Sequence, residues 1–350
     1  MSFTRNIFTS SSTIIFSFFL IPAHAVSGLT GAGGTFPVPI YEKWAAEYRI
    51  ISGKRVNYQG IGSSGGIRQI KARTIDFAGT DIPLKDEELD KLQLFQFPAV
   101  IGGVVVAVNI PGISSGDLIL DGAVLGDIYL GNIRRWNDKA ITRLNPGLNL
   151  PDIPIAVIRR ADGSGTTYIF TRYLSKVNPE WNRKIGAGAN VNWPTGMGGK
   201  GNSGVAVFVQ RVRGAIGFVE YSYAKPDNMS YTRMINADGK TVNPSQSSFS
   251  AAGKGANWGK QLALDLTNQK GENAWPITAI TFILIHKQQI NAARGSGVLN
   301  FFDWSFHNGH WLAQDLDYAM LPDSVINNIR NSWRDNITDG RGQPLLDKSN

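Results

Sequence analysis

The chain has 350 residues, 42% of them apolar and 18% charged, so it can bury a large core and is not a disordered segment. That length suits two domains of ordinary size or one large one. It has no cysteine, which excludes disulfides, zinc-thiolate sites and thiol catalysis. Its net charge of +8 comes from scattered Lys and Arg, which fits a preference for anions but not the basic stripe of a nucleic-acid binder.

Residues 1–25 read as an export signal. Arg5 supplies the positive start, Ile14 to Ile21 the short apolar run, and Ala23-His24-Ala25 the cleavage site. The run falls short of the ~20 residues needed to span a bilayer. Cleavage there predicts a mature chain from near Val26, exported to a compartment such as the periplasm.

After it, strand and helix signals alternate, the pattern of an α/β architecture. Ile40, Tyr41, Trp44, Ala45 and Tyr48 predict a helix over 38–50, with Pro37 just before it. A strand is expected at Val56 to Tyr58, a helix at Ile67 to Ala72 and a strand at Ile75 to Ala78. The continuous run at 98–109 (PAVIGGVVVAVN) predicts a strand buried on both faces. Shorter runs of this kind stand at Ile153 to Ile158 and Ala215 to Val219, and a second long one at Ile277 to Ile285. Two long buried strands flanking a middle block suggest crossovers between two lobes. One lobe is then 26–105 plus 280–350, and the other 106–279.

Three loops share small residues, hydroxyls and a place before a helix: Gly31 to Pro37, Gly60 to Gly66 and Asp162 to Thr167. A helix start offers unpaired N–H groups and a positive dipole end. Ser and Thr there are commonly plain caps, but three such loops in one chain also suit a convergent oxyanion site. Arg159-Arg160 precedes the third loop, and an arginine is a bidentate donor for a tetrahedral anion. Asp162 is placed to hold that guanidinium; a solvated surface pair is the other reading.

The same residues bear on other chemistries. The glycines at 31–36 lack the third glycine of a dinucleotide fingerprint, and the lysine at 200 is followed by glycine instead of Ser or Thr. Gly62-Ser63-Ser64-Gly65-Gly66 satisfies the nucleophile-elbow pattern, so a secreted serine hydrolase or phosphatase using Ser64 is the rival reading. It needs a histidine base, and the mature chain offers only His286, His307 and His310. His307 and His310 make a weak metal pair without acidic neighbours, and the nine tryptophans and ten tyrosines read as ordinary packing.

Taken together, LTGAGGTFPVPIYEKW at 29–44, VNYQGIGSSGGIRQI at 56–70, LFQFPAVIGGVVVAVNIPG at 94–112 and RRADGSGTTYIFTRYL at 159–174 resemble the periplasmic phosphate-binding proteins of high-affinity phosphate ABC transporters. The likeness continues through 125–138, 198–221, 265–278 and 317–325, nearly the whole mature chain. Residues 286–312 match loosely, and Gly34 stands where the family tends to carry a small residue such as alanine, a difference expected not to matter.

The resemblance implies a two-lobed, type II-like periplasmic-binding-protein fold that closes by hinge bending on a ligand cleft. It implies no enzymatic activity, no cofactor and no metal; the partners are inorganic phosphate and a transmembrane permease with its ATPase, and the protein is expected to be a monomer. It places phosphate on Thr35, Phe36, Ser63, Asp81, Arg160, Ser164, Gly165 and Thr166, with Asp162 supporting Arg160. Asp81 fits beside an anion only if the ligand donates a proton to it, which phosphate can do near neutral pH and sulfate cannot; otherwise it is a cap before Pro83.

Overall fold

The computed structural model describes residues 28–225, 229–254, 256, 258 and 262–346. The export signal expected at 1–25 lies outside the described residues.

Nine strands form the main sheet among the described residues. They are β1 (Leu29–Gly33), β2 (Val56–Gly60), β3 (Phe77–Thr80), β4 (Leu94–Asn109), β5 (Ala156–Arg160), β6 (Met197–Gly199), β7 (Ala215–Glu220), β8 (Ser230–Tyr231) and β9 (Thr278–His286). Their order is β2-β1-β3-β9-β4-β7-β5-β6, with β8 also on β4. Parallel pairs at each outer end frame antiparallel pairs at the centre. The helices that matter below are α1 (Val38–Ser52), α2 (Ser63–Lys71), α3 (Gly165–Val177) and α4 (Gly201–Arg211).

The long strand β4 joins the two ends of the sheet. From Leu94 to Gly103 it pairs with β9, and from Val104 to Asn109 with β7. It is buried almost throughout, as its β-branched run predicts. Pro98 has no amide proton for the ladder, and the register slips beside it, between Thr281 and Phe282. At the changeover a Cβ on Gly102 would fall 2.8 Å from the Phe36 ring, and one on Gly103 2.0 Å from the Phe249 ring. Glycine there lets both rings press onto the crossover strand.

Each end has its own aromatic packing. Tyr41, Phe77, Phe97, Phe302 and Trp333 pack edge-to-face beside β1–β3. Phe170 stacks on Phe218 at 4.2 Å near β5 and β7, with Tyr129 and Trp193 around them. Among the described residues, no helix is long and apolar enough to cross a membrane.

Several element boundaries differ from the sequence reading, the start of β4 at Leu94 and not 98 among them, and three have a visible cause. Helix α2 opens at Ser63 and not at Ile67, because Gly65 and Gly66 lie inside it. A Cβ on Gly66 would stand 2.6 Å from the Ala32 carbonyl oxygen, so glycine is what seats this helix against β1. Strand β3 begins at Phe77, two residues late, because Asp76 turns to the Thr30 amide and the Arg294 guanidinium. Strand β5 begins at Ala156; Pro154 makes only an isolated bridge to Arg135.

Candidate functional site

The loop from Gly33 to Pro37 runs from the end of β1 into α1. Gly33 has φ +149°, and a Cβ there would strike the Gly79 carbonyl oxygen at 1.9 Å, so the turn requires glycine. Beyond it, three consecutive carbonyls each accept a tyrosine hydroxyl. Tyr58 donates to Gly34 O at 3.0 Å, Tyr223 to Thr35 O at 2.6 Å and Tyr318 to Phe36 O at 2.7 Å. In a trans peptide the N–H points opposite to the C=O. Anchoring the Gly34 and Thr35 carbonyls therefore turns the Thr35 and Phe36 amides away from the tyrosines.

The second and third loops each open a helix. Gly62, with φ +83°, precedes Ser63 at the start of α2. Ser164 caps α3, its Oγ accepting from the Thr167 amide at 3.0 Å. Gly165 and Thr166 follow in the first turn, where amides lack intrahelical acceptors. A Cβ on Gly165 would stand 2.3 Å from Asp81 Oδ2 and 2.4 Å from Ser63 Oγ. One on Gly62 would stand 2.7 Å from Asp162 Oδ2, and the Ser64 amide donates to Gly163 O at 3.2 Å. The two ends of the sheet thus meet here, and all eight residues expected to hold an anion lie at this meeting point.

Four hydroxyls share one polarity. Thr35 Oγ1 accepts from both the amide and the Nδ2 of Asn202, at 3.2 and 3.0 Å. Asn202 Nδ2 also reaches Thr166 Oγ1 at 3.3 Å. Ser63 Oγ accepts from the Asp81 amide at 3.3 Å, as Ser164 Oγ does from Thr167. Each oxygen is already an acceptor, so its proton remains to be donated. The arrangement is a cradle of donors.

Two charged groups complete it. Arg160 ends β5 and is only 2% exposed; its Nε and one terminal nitrogen grip the Asp162 carboxylate at 2.8 and 2.5 Å. Its Nη1 is buried without a partner among the described residues, which leaves its two N–H donors over. Burial alone would raise Asp162, but the Arg160 hydrogen bonds and charge, with the Gly201 amide, hold it below the usual carboxylate range. The solvated-pair reading of these two residues does not fit this burial.

Asp81 follows β3 and is fully buried, and among the described residues neither carboxylate oxygen has a hydrogen-bond partner. Burial pushes it up to about 7, against the opposing pull of Thr281, Arg160 and Ser63. It therefore exchanges its proton near neutral pH. The cap reading fails: Thr80 Oγ1, not Asp81, accepts from the Ile82 amide. A methyl group on Gly34 would approach Ser63 Oγ to 3.1 Å and Asp81 Oδ2 to 3.2 Å, so glycine leaves room beside this carboxylate.

The sequence reading missed several supporting groups. Tyr58, Tyr223 and Tyr318 are more than packing, as their hydroxyls show. Asn202 joins Thr35, Thr166 and, through Oδ1, the Glu220 amide. Glu220 is a second buried carboxyl, pushed by burial up to about 8, and its Oε2 accepts from the Ser222 amide and hydroxyl. No local pattern marks these residues; they act on backbone carbonyls and hydroxyls contributed by distant segments.

Ser64 has no base. It lies in the first turn of α2, while His286 Nε2 is held at 2.9 Å by Ile70 O in the last turn, about 9 Å along the helix. His307 and His310 bond to the carbonyls of Asp303 and Phe306. No group of potential metal ligands is found among the described residues.

The chain matches the family model described as a PBP superfamily domain over residues 21–308. It is 48% identical to the phosphate-binding protein PstS of Pasteurella multocida, over 95% of this chain and 97% of that one. It is 50% identical to PstS of Xylella fastidiosa strain 9a5c, over 87% and 84%. A solved high-affinity periplasmic phosphate-binding protein, PfluDING, bound with phosphate, superposes with a TM-score of 0.72 at 19% identity, covering 91% of this chain and 100% of that one. An ABC-type phosphate transport receptor from Vibrio cholerae gives 0.55 at 20% identity, over 83% and 99%. At these identities the solved structures speak to the fold alone.

Proposed function

The chain belongs to the PBP superfamily and, at 48% identity over 95% of its length, to the phosphate-binding PstS proteins, and from that premise we propose that it captures inorganic phosphate and delivers it to an ABC importer. It is a binding component of a transporter and not an enzyme. The hydrolase reading of Ser64 finds no support in its relatives or in its surroundings.

The observation that carries the proposal is Asp81: one unpaired, buried carboxylate set among donors. The phosphate oxygens accept from the Thr35, Phe36, Gly165 and Thr166 amides, from the hydroxyls of Thr35, Ser63, Ser164 and Thr166, and from Arg160 Nη1. Each charge-assisted bond contributes ~1.5–3 kcal/mol, so several together offset the lost hydration of the anion. Asp81 accepts from the ligand hydroxyl. With one proton lying between the ligand hydroxyl and the Asp81 carboxylate, the two titrate as a coupled pair. Sulfate brings no proton and leaves two acceptors face to face.

The proposal includes the rest of the transport role. The export signal at 1–25 delivers the protein to the periplasm as a monomer. Lobes 26–105 with 280–350 and 106–279 close about the changeover in β4, and the rims of both then form one surface for the permease that works with its ATPase. Calorimetric titration tests the core of this reading: phosphate is bound at micromolar concentration and sulfate gives no heat. An absence of phosphate binding at that concentration would sink it.

A further inference from the structure

Thr35 is gripped from the opposite end of the sheet. It follows β1, yet its partners are Asn202, at the start of α4 on β5 and β7, and Tyr223, just beyond β7. Tyr223 fixes the Thr35 carbonyl, hence the direction of the Phe36 amide in the same peptide plane. Asn202 supplies two donors to the Thr35 hydroxyl and leaves it only its own proton to give. These are two of the three groups through which this loop meets the ligand in the reading above; the third, the Thr35 amide, lies in the peptide whose carbonyl Tyr58 holds. By contrast, Tyr58 and Tyr318 reach the loop from its own end of the sheet, from β2 and from the segment bridged to β4 at Ile101.

We infer that Asn202 and Tyr223 are a closure latch: crossing the cleft onto Thr35, they aim its hydroxyl and the Phe36 amide at the anion only when the two ends of the sheet have come together. The inference rests on the phosphate-binding reading and deepens it. Capture and closure then become one event, because a loop in the open form presents a misaligned amide and a hydroxyl free to rotate. The latch stays armed at any physiological pH. Burial, with Glu220 and Glu42 nearby, holds the Tyr223 hydroxyl well above its usual titration, so it remains a donor.

The test compares Tyr223→Phe with Tyr58→Phe, each removing one hydroxyl from the same loop. One hydrogen bond is worth ~0.5–1.5 kcal/mol net, which converts to about 2- to 12-fold in a rate or affinity. Tyr223→Phe is expected to raise the phosphate dissociation rate by about that factor in stopped-flow displacement. The association rate should stay within twofold of wild type, and the Tm of the phosphate-free protein should fall by clearly less than in Tyr58→Phe. Tyr58→Phe, whose bond does not cross the cleft, is expected to lower the Tm of the phosphate-free protein. A dissociation rate unchanged in Tyr223→Phe, or a phosphate-free Tm lowered as far as in Tyr58→Phe, overturns the latch. If wild type fails to bind phosphate, the functional reading falls by itself, and small-angle scattering decides the latch. Tyr223→Phe must then shift the phosphate-free protein toward the more open form, and an unshifted curve overturns it.

Discussion

Gly165→Ala separates cleft closure from folding. A Cβ at Gly165 would stand 2.3 Å from Asp81 Oδ2, 2.4 Å from Ser63 Oγ and 2.6 Å from Asp81 Cβ, where ordinary contact begins near 3.4 Å. The methyl group must therefore push the start of α3 away from Asp81 by about 1 Å. Gly165 opens a helix with no left-handed φ, so alanine brings no backbone strain and removes only the close approach. A displacement of that size takes the Gly165 and Thr166 amides beyond good hydrogen-bond range of a ligand held by Asp81 and Ser63. Two charge-assisted bonds at ~1.5–3 kcal/mol each give a loss of roughly 100- to 20,000-fold in phosphate affinity. Because the clash exists only when the cleft is closed, the phosphate-free protein should keep its thermal stability. Titration calorimetry reads the affinity and circular dichroism the melting curve. Phosphate affinity within threefold of wild type would refute the packing argument, and so would a collapse of the phosphate-free Tm.

Two further predictions concern the buried carboxyls. Asp81 titrates near 7, so in acid it becomes a donor that a sulfate oxygen can accept. Discrimination against sulfate should therefore shrink as pH falls from about 8 to about 6, and selectivity that is flat with pH in calorimetric competition contradicts this. Glu220 has a folded value of about 8 against an unfolded 4.5. Its contribution to stability is thus full below 4.5 and lost as pH rises through about 8. Glu220→Gln, which cannot ionise, should melt several degrees higher than wild type near pH 8 and gain nothing near pH 5. A Tm difference that does not vary with pH in scanning calorimetry would count against it.

The legible parts of this molecule were those whose physics is local. The β-branched runs of β4 and β9 announced buried strands because a strand covered on both faces has no polar alternation to obscure it. The three glycine- and hydroxyl-rich loops could be read as helix starts, since small residues and caps belong there. The start of α2 was misplaced because its glycines answer to β1 and not to helix propensity. Asp76 reads as part of a strand in the sequence because its partner Arg294 is 218 residues away. Asn202 and Thr35 are 167 residues apart, and Tyr223 and Thr35 188, so no spacing rule joins them. Asp81 is the intermediate case. Its burial without a partner is a tertiary fact, and only the family resemblance pointed to it beforehand.

The central claim is that Asp81 takes a proton from the ligand, and calorimetric titration of wild type and Asp81→Asn with phosphate and sulfate, side by side at one pH near 8, tests it most directly. The account predicts that wild type binds phosphate and not sulfate. Asp81→Asn, whose amide can also donate, should admit sulfate while weakening phosphate less than it erodes the discrimination. Equal binding of the two anions by wild type, or unchanged selectivity in Asp81→Asn, would contradict it.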